Sequence, residues 1–165
     1  MTVEDAIRTM RAVRKFTDQP LSDEDVTAIL NAGRRSQSSK NTQPWQFVAV
    51  RDRATLQQLA TTGTYAGHLA GAALGVVLVA ATPSDYDQGQ ATAYMMLAAW
   101  ARGIGSCIAT IYEPDQARAI LGIPADHDVH WAISFGYPAQ EDAAAAPPRK
   151  GGRRPLEEVV RWERW

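Results

Sequence analysis

Apolar residues recur at helical spacing in some stretches of the chain and at strand spacing in others. A spacing of three and four residues predicts a helix over residues 2–13 and another that starts after Ser22 and ends near Gly33. Shorter helices are predicted after Asp52, over 114–121 and after Pro155. Short apolar, β-branched runs predict strands over residues 46–50, 75–81, 104–111 and 129–135.

Strands and helices therefore alternate along the chain, a pattern compatible with two kinds of sheet. Such alternation ordinarily suggests a doubly wound parallel sheet. However, the sequence has no G-x-G-x-x-G motif after a strand, and the Gly103-Ile-Gly105 turn follows a helix instead. The pattern by itself does not separate a parallel α/β sheet from an α+β arrangement.

The stretch 88–102 is apolar on almost every side of its predicted helix. A helix of this kind is buried either in a core or in an interface between subunits. Its small residues, Ala91, Ala98 and Ala99, allow another helix to approach closely. We favour the seam of a dimer, and a central core helix within one protomer fits the pattern equally well.

Residues 36–43 concentrate small hydroxyl and amide side chains in one short segment. Such side chains compete for backbone hydrogen bonds and disfavour a helix, but they suit a loop that binds a flat polar heterocycle or a phosphate. Trp45 can act as an apolar plug beneath this loop, with Phe47–Val50 as a short buried strand. The alternative interpretation is a plain connector from helix to strand. The polar residues are Ser36, Gln37, Ser38, Ser39, Asn41 and Gln43.

Composition excludes several classes of protein. The chain has 165 residues, which suits a single domain over 1–165 in which 140–165 form a C-terminal arm and tail. A net charge of −1 gives no reason to expect nucleic acid or an anionic membrane as a partner. No signal peptide or membrane-spanning run is present, so a cytoplasmic location is expected.

Few residues outside the loop suggest chemistry of their own. The single cysteine, Cys107, excludes an internal disulfide and is expected to be inert core. The three histidines, His68, His127 and His130, lack the spacing of metal ligands and are expected at the surface or partly buried. No metal site is predicted.

Two stretches, one in the loop and one near the C-terminus, carry a resemblance to a known family. Residues 38–47, SSKNTQPWQF, closely resemble the P-S-S-x-N-x-Q-P-W-x-F signature of the nitroreductase-like flavoproteins. Gln37 stands where that family usually has proline. Residues 153–160, RRPLEEVV, resemble the end of the family's chain.

A third stretch near the N-terminus completes the resemblance. Residues 11–16, RAVRKF, resemble the family's R-R-S-x-R-x-F, with Met10 in place of the first arginine and Ala12 in place of the serine. The polar contacts that this arginine and this serine usually make in the family are therefore missing. The three stretches lie in the family's order and span nearly the whole chain, which argues against chance.

The resemblance implies a fold and a cofactor. The fold is α+β, a central sheet flanked by helices, assembled as an intertwined homodimer that binds FMN. By resemblance, Arg14 serves the pyrimidine edge of the flavin, while Arg11 and Arg153 serve its ribityl and phosphate end. Guanidinium groups suit this task because they form forked, charge-assisted bonds with phosphate. The alternative is that these arginines form a solvated basic face.

Two further segments are implied to contact the flavin. Ser38, Ser39 and Asn41 offer donors and acceptors to the ring heteroatoms of the flavin bound mainly by the other subunit. Ile108, Ala109 and Thr110 match the segment that passes the face and the N5 edge of the flavin. The alternative for residues 104–111 is an ordinary core strand.

The implied function is an FMN-dependent oxidoreductase that takes hydride from NADH or NADPH and reduces small oxidants. Nitroaromatics, quinones and activated alkenes are the expected oxidants, and no side-chain acid is required because water provides the proton. One alternative is a flavin- or nucleotide-binding dimer without turnover. Others are dehalogenation, flavin destruction and oxidative dehydrogenation on the same fold. Trp162 and Trp165 are expected either to cover the partner subunit or to seal the protomer.

Overall fold

A four-stranded antiparallel sheet runs through the protein in the order β1-β2-β4-β3. The structure, a computed structural model, describes residues 1–139 and 152–165. Its strands are Trp45–Val50 (β1), Leu74–Ala80 (β2), Gly105–Thr110 (β3) and Asp128–Gly136 (β4). Because every neighbouring pair is antiparallel, the parallel alternative is wrong and the α+β expectation is confirmed.

Helices cover both faces of this sheet. They are Val3–Thr9 (α1), Asp23–Arg34 (α2), Arg53–Leu59 (α3), Asp85–Trp100 (α4), Pro114–Leu121 (α5) and Leu156–Val159 (α6). One core cluster joins α3 and α5 to one face of the sheet, and a second joins α2 and α4 to the other. In the part of the chain that the structure describes, no helix is both long and apolar enough to cross a membrane.

The two apolar strands β1 and β2 differ in their environments. Every residue of β2 is buried, because this strand lies inside the sheet with helices on both faces. In contrast, β1 forms an edge of the sheet, and its Gln46 and Ala49 are exposed. The prediction that Phe47–Val50 is a buried strand is therefore wrong in part, since only Val50 of that run is buried.

The first helix is shorter than the predicted 2–13 span. The capping box between Thr2 and Asp5 forms as predicted, but Met10 is already extended. The chain then runs along β3, where the Val13 amide donates to the Ser106 carbonyl at 2.9 Å. Pairing with a strand edge and full burial of Val13 outweigh the local helical pattern.

Two glycines hold the segment after α1 against the sheet. A Cβ at Gly105 would lie 2.6 Å from the Val13 Cβ, and one at Gly136 would lie 2.8 Å from the Phe16 ring. Two further bridges, Ala12 with Ser106 and Phe16 with Pro138, complete the attachment. We call residues 12–17 the pinned segment.

Helix α4 is a core helix on one side and exposed on the other. Its Met95 is fully buried and packs so closely on α2 that a Cβ at Gly33 would lie 2.7 Å from the Met95 side chain. On the outward side, Tyr86 is 82% exposed and Tyr94 is 41% exposed. The core interpretation is confirmed for the inner side, and the dimer seam stays a prediction for the outer side.

The C-terminal residues that the structure describes lie on the surface. Trp162 is 79% exposed and Trp165 is fully exposed, so the interpretation that they seal the protomer is wrong. Pro155 precedes α6 as its N-cap rather than lying in its first turn. The predicted arm over residues 140–150 lies outside the described residues.

The close approach at Gly105 makes a prediction about stability. Gly105→Ala should destabilise the protein by about 1–3 kcal/mol, because the new methyl group overlaps Val13. Gly89→Ala is the matched control, since a Cβ at Gly89 on α4 would meet nothing within 4 Å. That control should be neutral or stabilising by about 0.5–1 kcal/mol in a urea titration. Equal stability of Gly105→Ala and the wild type would contradict the close packing.

Candidate functional site

A cleft of about 570 Å³ opens beside the pinned segment. Its walls carry two cations, Arg14 and Lys15, and one imidazole, His68. Among the described residues, the rest of the lining offers no polar side chain and consists of Phe16, Gly67, Gly71 and Ala139. Its volume falls in the range of small-molecule sites.

His68 is the buried polar group of this cleft. It lies in the 3₁₀ turn Ala66–Gly71 and is 9% exposed. Its Nδ1 lies 2.7 Å from the Ser134 hydroxyl oxygen, while its Nε2 has no hydrogen-bond partner within residues 1–139 and 152–165. Burial, followed by the charge of Arg14, lowers the pKa of His68 below its ordinary 6.5, against a smaller opposing effect of the Ile108 carbonyl.

The sequence did not single out His68. The expectation of a surface or partly buried histidine is wrong for this residue, although it is confirmed for His127 and His130. The only available signal was its position, an imidazole within the Gly/Ala-rich stretch that leads into β2. Cys107 is buried, as expected for a core thiol.

Strand β3 forms the other edge of the sheet, next to this cleft. The Ser106 carbonyl faces outward, because it accepts the Val13 amide. Successive residues of an antiparallel strand direct their backbone N–H and C=O groups to alternate sides of the strand. The backbone groups of Ile108 and Thr110 therefore point away from β4, as those of Ser106 do, and those of Ala109 point toward β4. The Ile108 side chain is 44% exposed, whereas that of Ala109 is buried in the core.

The polar loop before β1 has a strained backbone. Lys40, Asn41 and Gln43 all have positive φ angles, of 52°, 56° and 49°, in the left-handed region that non-glycine residues rarely adopt. Ser38 stabilises the loop because its hydroxyl accepts the Gln43 amide at 2.9 Å. Such strain concentrates at functional sites. Ser39 and Asn41 are exposed at its surface.

Trp45 follows this loop at the start of β1. It is 7% exposed, and its ring stacks on Phe47 with 6.5 Å between ring centroids. Its predicted burial is therefore confirmed, while its role as a plug beneath the loop stays a prediction.

The polar loop and the cleft do not meet within one protomer. The loop leads into β1 at one edge of the sheet, and the cleft lies beside β3 at the other. Three strand spacings separate these edges, a distance of roughly 14 Å. Residues 38–41 and Arg14 therefore lie at opposite edges of the sheet within one protomer.

The arginines expected at the phosphate end are also dispersed. The Arg11 guanidinium lies over the Trp100 ring, 5.9 Å from its centroid. Arg153 lies in the exposed C-terminal segment. Met10, at the position of the missing arginine, lines an apolar cavity of about 390 Å³ with Ile108 and Trp131. The substitution has therefore replaced a cation with part of an apolar wall.

Comparison with known proteins identifies the family. The model of the Nitroreductase family matches residues 7–73 and 67–137, most of the chain. A protein of Archaeoglobus fulgidus, provisionally named NADH dehydrogenase/NAD(P)H nitroreductase, is 35% identical over 147 residues, covering 82% of this chain and 84% of its own. The chain belongs to the nitroreductase family.

Two other proteins extend this similarity. The NADH dehydrogenase of Thermus thermophilus is 26% identical over 193 residues, with 92% of this chain and 91% of its own covered. The structure of an FMN-dependent nitroreductase from Clostridium difficile superposes with a TM-score of 0.85 at 26% identity, covering 97% of this chain and 98% of its own. The nitroreductase fold expected from the sequence is thus confirmed.

The residues of this family member fit FMN at the ring end. The cleft holds cations for ring carbonyls and an unpartnered buried nitrogen on His68, and β3 directs backbone groups outward beside it. Arg14 and Lys15 would hold the pyrimidine edge. The residues fit the phosphate end of FMN only if a cation from the C-terminal segment joins Arg11, because Met10 carries no charge.

The lowered pKa of His68 predicts a pH-dependent stability. The unfolded chain binds a proton at His68 near pH 6.5, while the folded protein binds it only at lower pH, so acidification favours unfolding. Between about pH 7 and about pH 5, the free energy of unfolding of cofactor-free His68→Gln should therefore fall less than that of the wild type. Urea titrations measure both. An equal fall in the two proteins would contradict a buried neutral imidazole.

Proposed function

We propose that this nitroreductase family member is an FMN-dependent oxidoreductase that transfers electrons from NADH or NADPH to small oxidants. Nitroaromatics, quinones and activated alkenes are the oxidants we expect, reduced in alternating half-reactions. The observation that supports this proposal is the cleft beside β3, where Arg14 and Lys15 accompany a buried His68 with one unpartnered nitrogen.

FMN, when bound, supplies the hydride and electron transfer, and the protein supplies orientation and electrostatics. Arg14 and Lys15 place positive charge beside the pyrimidine edge. The backbone amide of Ile108 faces away from β4 at the edge of β3, where it can orient the ring edge that receives hydride, whereas the Thr110 carbonyl packs against Gly63. No side-chain acid is assigned, because water can deliver the proton in an open cleft.

We also propose that the working unit is a homodimer with two flavin sites at its interface. The separation of the polar loop from the cleft supports this proposal, because Ser38, Ser39 and Asn41 precede β1 at the edge of the sheet opposite Arg14. Exposed apolar side chains supply a surface for the partner. They are Val3 and Ile7 on α1, Tyr86 and Tyr94 on α4, and Leu156, Val159, Trp162 and Trp165 in the C-terminal segment.

The purified protein tests the central proposal. It should be yellow or take up FMN, and NADH or NADPH should bleach it without oxygen, after which an added nitroaromatic or quinone should restore the colour. A protein that binds FMN but is bleached by neither nucleotide would support a flavin-binding dimer without turnover. A protein that binds no FMN would refute both functions.

The phosphate assignment predicts a selective loss of affinity. Arg11→Ala and Arg153→Ala should each weaken FMN binding by about 1–3 kcal/mol, because a charge-assisted bond to the phosphate is lost. Riboflavin, which lacks the phosphate, should bind all variants alike. Arg154→Ala is the matched control on the neighbouring arginine and should bind FMN as the wild type does. Fluorescence titrations that show unchanged FMN affinity in both test variants would place the phosphate elsewhere.

The assignment of Arg14 predicts a change in redox potential. Arg14→Ala should lower the FMN midpoint potential, because the cation stabilises the more negative reduced form more than the oxidised form. Arg8→Ala, which removes an exposed arginine paired with Asp5, is the control. An anaerobic redox titration in which Arg14→Ala shows no shift, or an upward one, would contradict this role.

If the protein is a homodimer, light scattering should give a particle of twice the 18.0 kDa protomer mass. Deletion of residues 140–165 should abolish both dimerisation and FMN binding, because Arg153 and the exposed apolar tail are removed together. A full-length particle with the mass of one protomer that retains FMN would rule the dimer out.

A further inference from the structure

Trp100, the last residue of α4, connects three parts of the chain around one indole ring. Its Nε1–H donates to the Thr9 hydroxyl oxygen at 2.9 Å, and the Arg11 guanidinium lies over the ring, 5.9 Å from its centroid. Trp100 and Arg11 are both half-buried. The ring therefore joins the end of α4 to the last turn of α1 and to the arginine that follows α1.

The hydrogen bonds of Thr9 fix the orientation of this ring. The Thr9 hydroxyl donates its single proton to the Asp5 carbonyl oxygen at 2.6 Å, since a carbonyl oxygen can only accept. The lone pairs of the same hydroxyl accept from Trp100, because an indole nitrogen can only donate. Both bonds thus have one possible direction, and together they hold the indole against α1.

The contact between the ring and Arg11 is compatible with phosphate binding. A cation–π contact consumes none of the N–H donors of a guanidinium, which lie in the plane of that group. A phosphate accepts from these in-plane donors in a forked arrangement. Trp100 can therefore hold the charge of Arg11 in place while the edge of the guanidinium donates to a phosphate.

Ordering Arg11 in advance would increase the affinity of the site. A long side chain that becomes ordered only when a ligand binds lowers the affinity by about 2- to 12-fold. An arginine that is already held avoids this loss. The effect matters in this chain because Met10 carries no charge, so Arg11 has to bring the positive charge from the segment after α1.

We propose that Trp100 is a positioning residue for the phosphate end of the cofactor site. Its ring holds Arg11 in place before FMN binds, and Thr9 holds the ring. This assignment rests on the proposed function, because it requires Arg11 to bind the phosphate of FMN. Trp100 and Thr9 act through Arg11 and are assigned no contact with the cofactor.

Fluorescence titrations with FMN and riboflavin test the role of the ring. Trp100→Leu should weaken FMN binding by about 2- to 12-fold and leave riboflavin binding unchanged, because riboflavin has no phosphate for Arg11 to bind. Trp100→Phe keeps a ring face and should lose less affinity than Trp100→Leu. In the Arg11→Ala background, Trp100→Leu should cause no further loss. A loss of riboflavin affinity, or a loss that persists without Arg11, would show a merely structural role and overturn the proposal.

The hydroxyl that holds the ring has a matched control elsewhere in the chain. Thr9→Val should weaken FMN binding by about twofold or more, again without an effect on riboflavin. Thr61, which follows α3 on the other face of the sheet, donates to the Gln58 carbonyl at 2.8 Å and accepts from Gln116 Nε2 at 3.0 Å. Thr61→Val removes an equivalent pair of bonds and should bind FMN as the wild type does. Equal FMN affinity of Thr9→Val and Thr61→Val would contradict the role of Thr9.

NMR spectra of the cofactor-free wild type give a test that needs no variant. The side-chain protons of Arg11 should be shifted upfield by the Trp100 ring, and its guanidinium group should be less mobile than that of the exposed Arg154. Equal mobility of the two guanidinium groups would overturn the proposal. If the Trp100 variants fail to fold, as judged by circular dichroism, this measurement and Thr9→Val decide.

The outcomes separate this assignment from the function on which it rests. Wild-type protein that binds no FMN would overturn the proposed function and this assignment with it. FMN binding that is weakened by Arg11→Ala but unchanged or strengthened by Trp100→Leu would overturn the assignment alone. FMN binding that Arg11→Ala leaves unchanged would also overturn it, while the flavin-dependent function would stand.

Discussion

The attachment of the pinned segment to the sheet is the interaction on which the candidate site depends. Val13 and Phe16 fit against glycines at the start of β3 and the end of β4, so the residues between them have little freedom. Arg14 and Lys15 lie between these two contacts, so their backbone is held at the edge of the sheet and their side chains line the cleft. A rigid backbone of this kind positions side chains for a ligand site.

The antiparallel order of the strands divides the site between two edges. The cleft lies beside β3, and the strained polar loop precedes β1 at the far side. A loop that keeps three positive φ angles is costly for an isolated protomer, and its exposed Ser39 and Asn41 do not meet the cleft. The strained loop at one edge of the sheet and the unpartnered Nε2 of His68 near the other edge are both consistent with a ligand shared between two subunits.

Met10 stands where the resembled signature has an arginine, and it lines an apolar cavity with Ile108 and Trp131. Arg11 lies over the Trp100 ring, a contact that stabilises a guanidinium without neutralising it. The cleft beside the pinned segment therefore carries the cations Arg14 and Lys15, whereas the described surroundings of Met10 are largely apolar.

The sequence by itself determined most of the helices and strands, because capping residues and apolar spacing act over a few neighbouring residues. It also indicated the loop, Trp45 and the family. Only the tertiary structure decided the end of α1, the antiparallel order and the burial of His68, since each depends on residues distant in sequence. Val13 departs from the helical pattern because it pairs with the edge of β3, and His68 is buried with its Nδ1 2.7 Å from the hydroxyl oxygen of Ser134, 66 residues later.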